Sequence, residues 1–271
     1  MASSLTETAP TSMPPPITPR RPRPAVRRRS PPERSRPTTN ELIALLPHGA
    51  SVALTAQLVA IRLEMDEVIA TAGVPMRWVY FPDSAVLSLI ALMDDGAAAE
   101  AGTVGHEGMV GLPVFLGVGS SPLTCFVQVP GIAHRVRADV FRRLTARHPA
   151  LREVLQCYTH AYLCQLAQTA ACNALHPLYA RCARWILMTD DRASADDHGA
   201  ALRGFTLKQQ SLAYMLGVRR EGVSGAARRL RAAGLISYAR GHMTVVDRAG
   251  LEAMTCECYD AVRAEHRRVM R

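Results

Sequence analysis

Arg219, Arg220 and Glu221 stand in a row at the head of a segment reading VRREGVSGAARRLR, and these are residue types that read base pairs. An arginine can pair with two guanine acceptors at once, and a carboxylate accepts from cytosine N4. Ser224, Arg228 and Arg229 follow at helical spacing, Lys208 precedes them, and Arg240 and His242 lie in a turn further on. Cations on phosphate supply affinity and register, whereas contacts to base edges supply specificity. Such a row needs a rigid support. The stretch 206–231 offers one: two short amphipathic helices, with Leu212, Leu216, Val218, Val223 and Ala226 for a shared core and Ala213 small where the helices come close. Gly217 falls between them, where a tight turn needs φ > 0. Gly234 ends the second helix, and two short apolar runs, 235–238 and 243–246, with Gly241 between them predict a β-wing. An ordinary α-rich hairpin would share the apolar pattern but has no reason to open its second helix with cations.

A second set of residues could hold a metal. Cys157, His160 and Cys164 recur at i, i+3 and i+7, and Cys172 and His176 follow at i, i+4. Thiolates and imidazoles so spaced suit zinc, haem iron or an iron–sulfur cluster. Soft, small core residues give the same pattern, and Cys256 and Cys258 match no metal motif. The expectation is therefore no metal and no required cofactor, with Cys157, His160 and Cys164 as the alternative sensor. Seven cysteines without a framework favour reduced thiols. The chain has no P-loop, no Gly-x-Ser-x-Gly and no His-Glu-x-x-His, so the reading is not that of an enzyme.

The elements that must position these residues show in charge and pattern. The net charge of +9 is uneven: eight Arg against two acids in 1–40, eleven basic against fifteen acidic residues in 41–200, and thirteen against six in 201–271. An acidic middle joined to a basic C-terminal part suits a sensor attached to a binder of double-stranded DNA. Residues 1–39 hold ten of the eighteen prolines and little that could form a core, which predicts a disordered Pro/Arg-rich arm over 1–40. Asn40 is read as the cap of a short helix, 41–46, stopped by Pro47-His48-Gly49. From 51 to 137, apolar stretches at 78–81, 85–92, 100–104 and 125–129 alternate with turns, Asp94-Asp95-Gly96 being a hairpin signal. Many short strands imply an antiparallel roll. A long helix follows over 142–173 with a junction at Pro149, and Leu151, Leu155, Tyr158, Tyr162, Leu166 and Thr169 line one face of it. His176-Pro177 breaks it, and 178–189 is a further helix. The fold class is thus α+β: roll over 41–141, long helix over 142–176, winged helix-turn-helix over 177–271. No apolar run approaches a membrane span and no secretory h-region is present, so a cytoplasmic location is expected.

LGVRREGVSGAARRLRAAGLI with its wing, GHEGMVGLPVFLG upstream, and YFPDSAVLSLI and QTAACNALHP around it resemble the Crp/Fnr family of bacterial transcription regulators. The resemblance spans about 40–253. It implies a cyclic-nucleotide-binding-type roll, a homodimer formed through the long helix (the face bearing Leu151 to Thr169), a palindromic operator, and RNA polymerase as a possible further partner. It also implies an effector pocket at Gly105, Glu107, Gly108, Met109, Gly111, Leu123 and Thr124. Leu123 stands where that family's phosphate-binding arginine belongs, so cyclic AMP is not expected as the effector. Glu107 is left to pair internally, Arg135 and Arg137 being candidates. Arg220 and Glu221 match the family's base-reading pair, and Gly225 replaces a further base-reading arginine.

Overall fold

The computed structural model describes residues 37–193 and 204–271. The N-terminal arm up to residue 36 lies outside the described residues, but the expected arm 1–40 ends sooner than its composition suggests. Thr38 Oγ1 donates to Asp83 Oδ1 (2.7 Å), and the Asn40 amide donates to the carbonyls of Pro82 (2.7 Å) and Gly108 (2.9 Å). The Asn40 side-chain oxygen also caps α1 (Glu41–Ala44) by accepting from Ile43 N. Helix α2 (His48–Thr55) starts where a stop was expected. Pro47 does end α1, yet a proline needs no N–H at the head of a helix, and Ala50 and Leu54 carry α2 into the same core.

The roll is built from β1 (Val59–Leu63), β2 (Val68–Ala70), β3 (Trp78–Pro82), β4 (Val86–Leu92) and β5 (Ala98–Val104), then a short α3 (Leu112–Phe115), β6 (Thr124–Val129) and β7 (Gly131–Arg137). Two sheets form, in the orders β1-β7-β3 and β2-β6-β4-β5, and every pairing is antiparallel. The Asp94–Gly96 turn joins β4 to β5, with Gly96 at φ 84° and Met93 N–H donating to Ala97 O at 2.8 Å. Strand β7 escaped the apolar reading because His134, Arg135 and Arg137 interrupt it.

Helices α4 (Ala138–Arg147) and α5 (Pro149–Leu175) meet at the expected Pro149 junction. The expected dimer face of α5 is corrected by the structure. Leu151, Leu155 and Tyr158 are at most 3 % exposed and pack with Leu42, Phe81 and Phe141 in the roll's own core, with Tyr162 alongside; Thr169 is buried too. One helical periodicity states that a face is buried, not by whom, and the roll closes on this one. Leu163 (58 % exposed), Ala167, Ala170 and Ala174 mark a different face that is open.

The C-terminal module comprises α6 (Leu178–Ala193), β8 (Phe205–Thr206), α7 (Gln209–Leu216), α8 (Arg220–Ala232), β9 (Ile236–Ala239), β10 (His242–Val245), α9 (Arg248–Met254) and α10 (Cys258–Val269). Helix α6 leans on the roll. Trp185 Nε1 donates to Glu100 Oε2 (3.0 Å), and Gln128 Nε2 donates to Thr189 Oγ1 (2.8 Å). Ser88 and Thr103 hydroxyls complete the set around Glu100. Helix α10 runs along α5.

Candidate nucleic-acid interface

Helices α7 and α8 are set by Gly217, which takes φ 61° at the end of α7 while Val218 N–H donates back to Ala213 O (3.0 Å). Leu212, Ala213, Leu216, Val223, Ala226 and Leu230 are all at most 7 % exposed and share a core with Phe205, Ile236 and Met243. That core turns the opposite side of α8 outward: Arg219, Arg220, Glu221, Gly225 and Arg228 are exposed. The charged row at the head of α8 is therefore open to solvent.

Other expected contacts are placed differently. Ser224 is half-buried and has an internal partner. The Arg229 guanidinium lies 3.9 Å from the Tyr179 ring centre, a cation–π contact that holds it toward α6. Lys208 Nζ pairs with Asp66 Oδ2 of the roll at 2.6 Å. The wing turn is the two residues Arg240 (φ 51°) and Gly241 (φ 80°), both left-handed as a two-residue type I′ hairpin requires. Arg240 is thus at the tip and exposed, while His242 stands within β10, opposite Ala239 and Thr206.

The glycine-rich segment after β5 is closed. Arg192, at the end of α6, donates from Nε to Glu107 Oε1 at 2.8 Å, with side chains only 10 % and 16 % exposed. The partner is neither Arg135 nor Arg137: Arg135 stacks on Trp78, and Arg137 pairs with Asp139. Burial raises the Glu107 carboxyl, but the Arg192 charge and the hydrogen bonds outweigh it and leave Glu107 below the usual carboxylate range. A Cβ at Gly105 would meet Arg192 Cγ at 2.6 Å, and one at Gly108 would strike the Tyr158 ring. Met109 is 1 % exposed, and Gly111, at φ 143°, backs onto Val79. Leu123 and Thr124 sit at another level: Thr124 and Glu100 both stand opposite Ile90, whereas Val104, the residue before Gly105, stands opposite Leu87. The seven expected effector residues therefore do not line one open cleft. A cavity of about 20 Å³, the room of a single water, lies instead between Glu100, Thr103, Gln165, Arg184 and Trp185.

Of the expected metal trio, His160 and Cys164 meet (3.6 Å) and Glu265 of α10 joins them, 2.8 Å from His160 Nε2. Cys157 belongs to no such group among the described residues. A larger and more buried group, Cys172, His176, Cys256 and Cys258, forms where α5 ends. The sequence does not link its halves, because Cys172 and Cys256 are 84 positions apart; the Cys-x-Cys spacing beside a Cys/His i, i+4 pair is the signal it offers.

Residues 180–254 match the family described as the Crp-like helix-turn-helix domain. No curated protein matches the chain. Among solved structures the chain is similar to the c-di-GMP-responsive global regulator CLP of Xanthomonas campestris, at 18 % identity and TM-score 0.58 over 73 % of this chain and 99 % of that one. It is also similar to a crp/fnr-family protein of Eubacterium rectale (14 % identity, TM-score 0.60, 79 % and 96 %) and to FixK2 of Bradyrhizobium japonicum (16 % identity, TM-score 0.59, 73 % and 98 %). At these identities the likeness is one of fold. Roll, long helix and matched module together have the fold of these Crp/Fnr-type structures. Within its C-terminal module, residues 180–254 form a winged helix-turn-helix of the Crp-like kind.

Proposed function

We propose that the chain is a sequence-specific transcription regulator that binds a palindromic operator as a homodimer in the bacterial cytoplasm, and that it is not an enzyme. The observation that carries the reading is the exposed row Arg219, Arg220, Glu221 and Arg228 on α8, in a region of thirteen basic and six acidic residues. Arg220 and Glu221 read bases in the major groove, while Arg219, Arg228 and the wing-tip Arg240 hold phosphates. RNA polymerase is the further partner such a regulator would contact. Titration of an operator library at several salt concentrations tests this. The expected result is one preferred palindrome with affinity falling steeply with salt; equal affinity for all sequences would overturn it.

The dimer is assigned to the open α5 face of Leu163, Ala167, Ala170 and Ala174, since small residues let two helices approach closely. Leu163→Asp places a charge in that seam and is expected to give a folded monomer with operator binding weakened at least a hundredfold. A variant still dimeric at micromolar concentration would overturn the assignment. Cyclic AMP is not the effector in this reading. Leu123 supplies no cation for a cyclic phosphate, and Glu107 Oε1 is already held by Arg192. Added cyclic AMP should move neither the melting temperature nor operator affinity; a saturable thermal shift would reverse the conclusion.

A further inference from the structure

Cys172 and His176 occupy the last turn of α5, and Cys256 and Cys258 flank Glu257 between α9 and α10. Their four ligand atoms all lie within 4.8 Å of one another. Cys172 Sγ is 3.5 Å from Cys256 Sγ, and Cys258 Sγ is 3.4 Å from His176 Nδ1. A tetrahedral zinc with Zn–S of about 2.3 Å and Zn–N of about 2.0–2.1 Å would set those edges at roughly 3.8 and 3.6 Å, within a few tenths of an ångström of those distances. An iron–sulfur cluster spreads its four protein ligands over two or more irons, so it could not keep all four ligand atoms within 4.8 Å of one another.

The surroundings are also those of a metal site. His176 Nε2 is 3.2 Å from Glu257 Oε1, so the carboxylate holds that proton and leaves Nδ1 as the free lone pair aimed at the sulfurs. Gln168 Nε2 donates to Cys258 Sγ at 3.0 Å, which suits a thiolate. Cys172 and Cys258 are fully buried and Cys256 is 8 % exposed. Three thiolates around a dication leave one net negative charge; burial raises the Cys172 thiol, and the charge of Arg184 of α6 works against that. Arg184 is itself buried, and its Nε has no partner among the described residues. The His160–Cys164–Glu265 group, by contrast, is more open and has three donors.

We infer that Cys172, His176, Cys256 and Cys258 form a closed site of three thiolates and one imidazole for a thiophilic divalent cation of the zinc class. The site spans the His176–Pro177 break, so a bound ion ties the segment after α9 to the end of α5 and fixes how the C-terminal module leaves the long helix. Four protein donors leave no open position, so the ion there is structural rather than catalytic. This inference does not rest on the regulatory reading.

The test uses the full-length chain, reduced and handled without oxygen. Metal analysis is expected to find one zinc per chain after purification. Cobalt(II) added to the stripped protein should produce, at one equivalent, the intense visible bands of a tetrahedral thiolate complex, which zinc then displaces. Stripping should lower the melting temperature, and zinc should restore it saturably. Cys258→Ser and His176→Ala should lose the cobalt spectrum. His176→Cys should keep it with the signature of four thiolates, which separates ligation from general damage. Gln168→Ala should weaken zinc by about 10- to 100-fold, the usual cost of a lost outer partner. Cys164→Ala should bind as the parent does. A reduced, folded parent protein that takes up no cobalt would overturn the inference. So would a spectrum that depends on Cys164, or a Cys172–Cys256 disulfide whose reduction yields no metal-binding form.

Discussion

Two arginine–glutamate arrangements in this chain have opposite outcomes. Arg192 and Glu107 come from the module and the roll, 85 residues apart, and meet as a buried pair. Arg220 and Glu221 are neighbours at the head of α8 and stand exposed. The first pair joins module to roll through Glu107 Oε1 and fills the segment where the resembled family would admit a ligand. The second is open toward solvent. Residue type is the same in both; burial and partner decide whether a charge locks the fold or awaits another molecule. The glycines follow suit. Gly105 and Gly108 leave no room for a Cβ, whereas Gly225 has nothing within 4 Å of where one would stand.

The sharpest way to break this contrast is to remove one partner of the buried pair. Arg192→Ala leaves the Glu107 carboxylate buried without its cation, and losses of about 3–5 kcal/mol are typical of such a change. Urea denaturation checks the value. A loss below about 1 kcal/mol, the size of an exposed pair, would mean that water reaches Glu107 and that the lock is not closed. The pair also predicts a pH dependence. The folded-state pKa of Glu107 is lowered, so its contribution is present above the ordinary carboxylate pKa and fades as pH falls through the depressed value. The parent should therefore lose stability on acidification more steeply than Arg192→Ala does.

At the open row the expected effects are smaller and fall on DNA binding. Arg220→Ala should cost about 1–3 kcal/mol on the preferred operator and relax preference at one base pair per half-site. Arg228→Ala should weaken all sequences alike and flatten the salt slope by about one unit. Both variants should melt with the parent. If Arg220→Ala destabilised the free protein as Arg192→Ala does, the row would be structural and the contrast would fail.

What could be read from the sequence follows the same division. The helix-turn-helix was legible because its evidence is local: Gly217 in the turn, apolar residues at helical spacing, cations at the head of α8. The roll was legible as a class, since β3, β4, β5 and β6 carry apolar runs, while β7 was hidden by His134, Arg135 and Arg137. Pairings between distant segments were not legible. Glu107 gave no sign that its partner lay in α6, and Cys172 none that Cys256 would lie 3.5 Å away. The α5 face was legible as buried, but a helical stripe carries no label for what covers it.

The smallest expected effect discriminates most finely. Glycine within a helix costs about 1 kcal/mol against alanine, and α8 holds two, Gly222 and Gly225. At Gly222 a Cβ would stand 3.0 Å from Leu178 Cδ2, so that side chain must shift by a few tenths of an ångström and part of the gain is lost. At Gly225 the space is open. Gly225→Ala should therefore stabilise the free protein by about 1 kcal/mol, a rise of roughly 2–4 °C in melting temperature for a chain of this size. Gly105→Ala and Gly108→Ala should do the reverse by pushing on Arg192 and Tyr158. Operator binding then reports what faces Gly225 in the complex. If only solvent or a distant backbone faces it, the firmer helix loses less entropy on ordering and affinity holds or improves. If affinity falls while stability rises, a base edge or sugar comes within a methyl group of Gly225, and the glycine is there for close approach. A fall in stability would refute the open geometry at this position, and with it the contrast between the closed segment and the open row.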